Sequence, residues 1–209
     1  MTKKTFFIIC LLLFFGLAFS YDLKFFRNID INTLEFFEGI RTKFLNRFFY
    51  FFTELGSKNF IIPISVVALI FLAVKKKYFE ASFLMLAFLG EVGLNHLLKG
   101  WIHRERPSLN PLIHESGFSF PSGHSMGAIV VFGFFFYLFI HILKMGQKYR
   151  YVWLTATIVL VLFIAMSRAY LGVHYPTDII AGLSAGYVYL YIIILLYHLS
   201  SKRRPHSTK

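Results

Sequence analysis

Six stretches of this chain are apolar for long enough, or nearly so, to cross a hydrocarbon layer: residues 5–20, 59–74, 78–98, 123–143, 151–171 and 177–199. A helix crosses a bilayer with about 20 mostly apolar residues, about 17 to 25 being tolerated. The pattern predicts an all-α integral membrane protein, a six-transmembrane helix bundle with an interfacial helical segment at its outer face. Composition agrees, because 57% of the 209 residues are hydrophobic and 15% charged, against about 45–50% and about 25% in soluble chains. The lone Cys10 lies in an apolar run, which excludes a disulfide framework and a thiolate metal cluster.

The basic residues are spread unevenly around those stretches. With the N-terminus cytoplasmic, the inner segments hold Lys3, Lys4, Lys75, Lys76, Lys77, Lys144, Lys148, Arg150, Lys202, Arg203, Arg204 and Lys209, twelve of the 22 Lys and Arg residues, with Glu80 the one acid nearby. Cytoplasmic segments accumulate Lys and Arg, so both termini are expected in the cytoplasm of a multi-pass cell-membrane protein. The net charge of +12 then reads as orientation, and nucleic acid is not needed as a partner. The first stretch also resembles a signal peptide, with Ala18-Phe19-Ser20 as a small-residue cleavage site. The charge count works best with that helix retained.

Residues 21–58 carry six basic residues against five acids and fit neither a span nor an ordinary loop. Asn32 with Glu35 three positions on reads as a helix start of capping-box type. Phe37, Ile40, Phe44, Phe48, Phe51 and Leu55 form a stripe at helical spacing. That stripe suits a helix lying in the membrane interface and equally one packed against the bundle's outer end. No internal repeat, linker or second domain is visible. Residues 1–209 read as one unit: a first helix at 1–20, the outer segment at 21–58, a core bundle at 59–200 and a basic cytoplasmic tail at 201–209.

Four cations remain, Lys99, Arg104, Arg106 and Arg168, all at outer ends of spans, where orientation gives no reason for them. They accompany three polar clusters at the same face: Lys99-x6-Arg106-Pro107, Pro121-Ser122-Gly123-His124, and Ser167-Arg168-x5-His174-x3-Asp178. In these clusters the chain resembles the type 2 phosphatidic acid phosphatase family, whose motifs KxxxxxxRP, PSGH and SRxxxxxHxxxD are present in order and without departure over residues 99–178. The resemblance implies a membrane lipid phosphatase. It implies that His174 attacks phosphorus to form a phosphohistidine, that Asp178 holds the other ring nitrogen, and that His124 protonates the leaving oxygen and later activates water. Among compact family members, bacterial enzymes acting on phosphatidylglycerophosphate or undecaprenyl pyrophosphate are the nearest in layout.

The residues make physical sense beside that resemblance. A phosphate ester is close to a dianion, and its transfer is catalysed mainly by positioning and electrostatics. Lys99, Arg106 and Arg168 supply three cations, each worth about 4 kcal/mol at about 4 Å and an effective dielectric near 20, before desolvation is subtracted. Ser122 is a natural N-cap for the fourth span, and with Gly123 it leaves free backbone N–H groups as an anion site. Pro176 suits the first turn of the last span and places Asp178 within it, able to reach back.

The expected site is therefore His174, His124 and Asp178 as catalytic groups, with Lys99, Arg106, Ser122, Gly123 and Arg168 binding phosphate. No cofactor and no metal are expected. His103, His114, His124 and His174 share a face with Glu105 and Glu115, but zinc would meet the three cations there. His96, His103, His141, His198 and His206 read as caps or surface residues. His114 and Glu115 fit a plain loop or a headgroup contact, and Ser167 fits packing or a phosphate hydrogen bond. Glu91 and Asn95 share a helical face with Lys99, and Glu91 is expected to pair inside the bundle. The substrate is expected to be a membrane lipid phosphate entering sideways from the bilayer, with no obligate protein partner. A transporter or a non-catalytic lipid binder remains as an alternative, though neither needs His124, His174 and Asp178 together.

Overall fold

The computed structural model describes residues 2–202. The tail residues beyond Lys202, His206 among them, lie outside the described residues. Eight α-helices follow in order: α1 Lys3–Ser20, α2 Lys24–Gly39, α3 Lys43–Leu55, α4 Lys58–Val74, α5 Tyr78–Ile102, α6 Gly123–Tyr137, α7 Arg150–Tyr170 and α8 Pro176–Lys202. A π-helical turn, Leu138–Ile142, prolongs α6, and a short 3₁₀ turn, Gln147–Tyr149, leads into α7.

Five spans stand alone by length and apolarity, while α3 and α4 qualify only as a pair bent by 43°. The expected outer segment, residues 21–58, is built of two helices, α2 and α3, and ends at the start of α4. One face of α3 is tied down: Phe49 stacks on Tyr170 with ring centroids 4.2 Å apart, and Phe48 and Phe52 pack on Phe163 of α7. α3 thus packs on α7 along one face, while Phe44 and Phe51 of the expected stripe stay exposed on the other. The expected helix start at Asn32 is corrected. α2 begins after Leu23 and runs unbroken through Asn32, with Asp30 and Leu34 facing inward. The real start is Thr42, whose hydroxyl accepts a hydrogen bond from the Leu45 N–H.

α6 is the axis of the bundle: 61% of its span is buried, against 22% for α1. Its closest neighbour is α8, and two glycines one helical turn apart permit that approach. A Cβ at Gly182 would stand 2.6 Å from the Ser122 carbonyl oxygen, and one at Gly186 would stand 2.3 Å from Ile129. Small residues at four-residue spacing let membrane helices pack backbone to backbone. Successive crossings alternate in direction, so the C-termini of α5 and α7 and the N-termini of α6 and α8 meet at one end of the bundle. All three polar clusters lie there.

Candidate active site

Asp178 sits in the first turn of α8, behind Pro176, as the sequence spacing predicts. One carboxylate oxygen accepts the Tyr175 N–H at 2.9 Å and lies 3.5 Å from His174 Nδ1. The other accepts from Arg104 at 2.6 Å. His174 is held just before the helix and is 2% exposed. Its Nε2 lies 3.1 Å from Arg106 Nη1. A guanidinium can only donate, so Nε2 is the acceptor and the ring proton is on Nδ1, toward Asp178. Burial, then the charges of Arg168, Arg106 and Lys99, hold the imidazole well below the ordinary histidine range. At neutral pH it is therefore uncharged, with its Nε2 lone pair available.

The three expected cations converge on this histidine but are not bare. Lys99 donates to the Phe118 carbonyl. Arg106 donates to the carbonyls of Gly117 at 3.0 Å, Val173 at 3.0 Å and Ser116 at 3.2 Å. Arg168 is 1% exposed and donates to the Thr53 hydroxyl and to Glu115 Oε1, each at 2.5 Å. The second Glu115 oxygen lies 3.8 Å from Arg106. The loop between α5 and α6 thus folds over the site, and Glu115 places one carboxylate between the two guanidinium groups.

His124, in the first turn of α6, borders the same cavity of about 580 Å³ as His174, Lys99, Arg106 and Gly123. Gly56, at the bend between α3 and α4, faces it closely: a Cβ there would be 3.2 Å from the His124 ring and 2.4 Å from Ile164. Ser122 is the N-cap of α6, as expected, through its hydroxyl. That hydroxyl is fully buried, accepts from the Ser125 hydroxyl at 3.0 Å and does not border the cavity. The helix begins at Gly123, which borders the cavity. Ser167 likewise turns inward and donates to the Ile164 carbonyl at 2.6 Å.

Four residues of the site carry no motif signal: Asp30, Thr53, Arg104 and Glu115. Arg104 belongs to none of the phosphate-binding groups. It lies between the rings of Tyr21 and Tyr175, and bridges Asp178 to Asp30 of α2 at 2.7 Å. Asp30 is fully buried and also accepts from the Thr177 N–H at 3.0 Å and the Thr177 hydroxyl at 2.6 Å. The available clue was the near balance of six basic and five acidic residues in 21–58, which hid one acid with an inward destination. Among the described residues, no three His, Cys, Asp or Glu side chains are grouped as metal ligands. Glu91 does not pair inside the bundle as expected: it is buried, with no hydrogen bond or ion pair among the described residues, and it borders the cavity.

Comparison with known proteins places this arrangement in context. The model of the PAP2 superfamily matches residues 80–202. Phosphatidylglycerophosphatase B of Bacillus subtilis is 36% identical over 74% of this chain and 76% of its own. An undecaprenyl-diphosphatase of Sulfolobus acidocaldarius is 30% identical over 74% of this chain and 71% of its own. The crystal structure of a transmembrane PAP2 type phosphatidylglycerolphosphate phosphatase from Bacillus subtilis superposes with a TM-score of 0.88 at 30% identity, covering 96% of this chain and 98% of that one.

Proposed function

The chain belongs to the PAP2 superfamily, and from that premise we propose that it removes the terminal phosphate from a membrane lipid, through a phosphohistidine on His174 and without a metal. The observation that carries the reading is the neutral His174 with its Nε2 turned to Arg106, at the wall of a cavity shared with His124 and Lys99.

In this reading the phosphate dianion displaces Glu115 and is held by Lys99, Arg106, Arg168 and the N–H groups at the start of α6. Arg106 moves its hydrogen bond from Nε2 to a phosphate oxygen, and the freed lone pair attacks phosphorus. Asp178 stabilises the imidazolium that forms, the orienting role in triad chemistry. Charge transfer through Asp178 is limited by Arg104, which already neutralises one of its oxygens. His124 protonates the departing oxygen, then takes a proton from the water that hydrolyses the intermediate.

The favoured substrate is phosphatidylglycerophosphate, with overlap onto phosphatidic acid and undecaprenyl pyrophosphate. The likeness to the Bacillus subtilis enzyme supports it. A dedicated undecaprenyl pyrophosphate phosphatase is the second reading, supported by the Sulfolobus relative. The distribution of Lys and Arg supports an active site at the extracytoplasmic face with both termini cytoplasmic. Phosphate release from these three lipids by purified protein, with and without EDTA, tests the proposal. Turnover in EDTA is expected; release from none of them ends the reading, and loss in EDTA restored by zinc ends its metal-free part.

A further inference from the structure

The cavity does not stop at the phosphate clamp. From His174 and His124 it continues along α5 to Glu91, with Lys58, the first residue of α4, on its border. Glu91 is eight residues before Lys99 on α5, about 12 Å along a helix rising 1.5 Å per residue. It is 5% exposed, yet its carboxyl meets no hydrogen-bond donor and no cation within ion-pair distance among the described residues. A buried carboxyl at bilayer depth is costly and marks function unless it is paired. Lys58 is exposed, borders the same cavity as Glu91, and makes no ion pair among the described residues. A carboxyl and an ammonium group thus border the cavity beside the site, each with free hydrogen-bonding capacity among the described residues.

We propose that Glu91 and Lys58 form a second polar subsite, which reads a hydroxyl and a second anionic phosphate next to the reacting one. The inference rests on the lipid phosphatase reading above and names what selects among its substrates. In phosphatidylglycerophosphate six bonds separate the two phosphorus atoms, about 7 Å when extended by analogy with chain dimensions, and the carbon midway carries a hydroxyl. With the terminal phosphate at His174 and the acyl chains leading into the bilayer, the hydroxyl and the phosphodiester lie along the cavity toward α4. Glu91 accepts a hydrogen bond from the hydroxyl, and Lys58 neutralises the phosphodiester. Phosphatidic acid has neither group in that place. Undecaprenyl pyrophosphate carries its second phosphate directly on the reacting one with no hydroxyl between, and puts hydrocarbon against the Glu91 carboxyl.

The test compares Glu91→Leu and Lys58→Met with the wild-type full-length protein on all three lipids in the same mixed micelles. Each substitution is expected to lower the ratio of kcat/KM for phosphatidylglycerophosphate to that for phosphatidic acid roughly tenfold, about 1.4 kcal/mol, mainly through KM. Glu91→Leu is expected also to raise the relative rate on undecaprenyl pyrophosphate. Lys58 is exposed, so its variant carries the test if Glu91→Leu does not fold. Equal losses on every lipid, or an unaltered ratio in the Lys58 variant, overturn the subsite. A wild-type protein active on phosphatidic acid but not on phosphatidylglycerophosphate overturns it while leaving the phosphatase reading intact. Activity on no lipid removes the phosphatase reading itself.

Discussion

Glu115 and Arg168 are joined at 2.5 Å, carboxylate oxygen to guanidinium nitrogen, in the place where a substrate phosphate is proposed to bind. The pair gives the site an anion of its own, and keeps a nearly fully buried arginine from standing uncompensated. A phosphate dianion carries one charge more than the carboxylate it replaces. That extra charge is worth about 4 kcal/mol per cation at about 4 Å and an effective dielectric near 20, before desolvation, so exchange favours the substrate.

Glu115→Gln removes the competing charge but keeps the shape. Inhibition by inorganic phosphate or vanadate should tighten about tenfold, close to 1.4 kcal/mol, with turnover slowed by retained product. Inhibition constants for both ions check this; weaker binding would show that Glu115 helps hold the ligand.

His174→Ala is expected to abolish turnover and acid-trappable phosphoenzyme, whereas Asp178→Asn retains reduced activity, since it orients the ring without reacting. Phosphate release by His174→Ala at the wild-type rate would remove the nucleophile assignment.

His124→Ala should harm phosphomonoester hydrolysis much more than pyrophosphate hydrolysis, because an alkoxide leaves far less readily than a phosphate. General acid catalysis contributes about 10²–10⁴-fold, and the larger part of that loss is expected on the monoester. Parallel kinetics on phosphatidic acid and undecaprenyl pyrophosphate decide it, and equal losses would sink the proton-donor role.

The depressed basicity of His174 gives a pH prediction. Its nucleophilic form persists as pH falls below the ordinary histidine value of about 6.5, so the rate of phosphoenzyme formation should not halve there. The unfolded chain takes up a proton at that site near pH 6.5 and the folded chain does not. The stability this contributes is complete above about 6.5 and is lost progressively as pH falls toward the folded value. Rapid-quench measurements and thermal unfolding across pH 5 to 8 follow the two effects separately. A phosphoenzyme rate with its midpoint at or above pH 6.5 would contradict the first.

Arg104→Met leaves Asp30 and Asp178 buried and uncompensated, and should destabilise the protein by about 3–5 kcal/mol with a fall in kcat. Asp30→Asn leaves Arg104 wholly to Asp178 and should act mainly on stability. Thermal unfolding in detergent with paired kinetics separates the two variants. A stable, fully active Arg104→Met would mean that the bridge does not position Asp178.

Periodicity and motif spacing carried much of this protein. The apolar runs, with the lengths a bilayer imposes, determined the helical class and the single end at which the polar clusters meet. Pro176 and Ser122 marked the first turns of α8 and α6 through local backbone chemistry that needs no tertiary partner. Asn32 misled because a capping pattern is only a local preference; burial of Asp30 and Leu34 holds α2 in one continuous helix across it. The docking of α3 on α7 was hidden because the contacts that hold it come from Tyr170 and Phe163, more than a hundred residues away. Residue type and spacing also separated the cations between spans from those clustered with the polar motifs. They could not say that Arg104 faces two carboxylates, that Ser122 turns its hydroxyl inward, that Glu115 lies between Arg106 and Arg168, or that Glu91 finds no hydrogen-bond or ion-pair partner among the described residues. Those assignments depend on which distant side chains arrive at the same place, and in a close-packed bundle only the three-dimensional arrangement of the helices decides that.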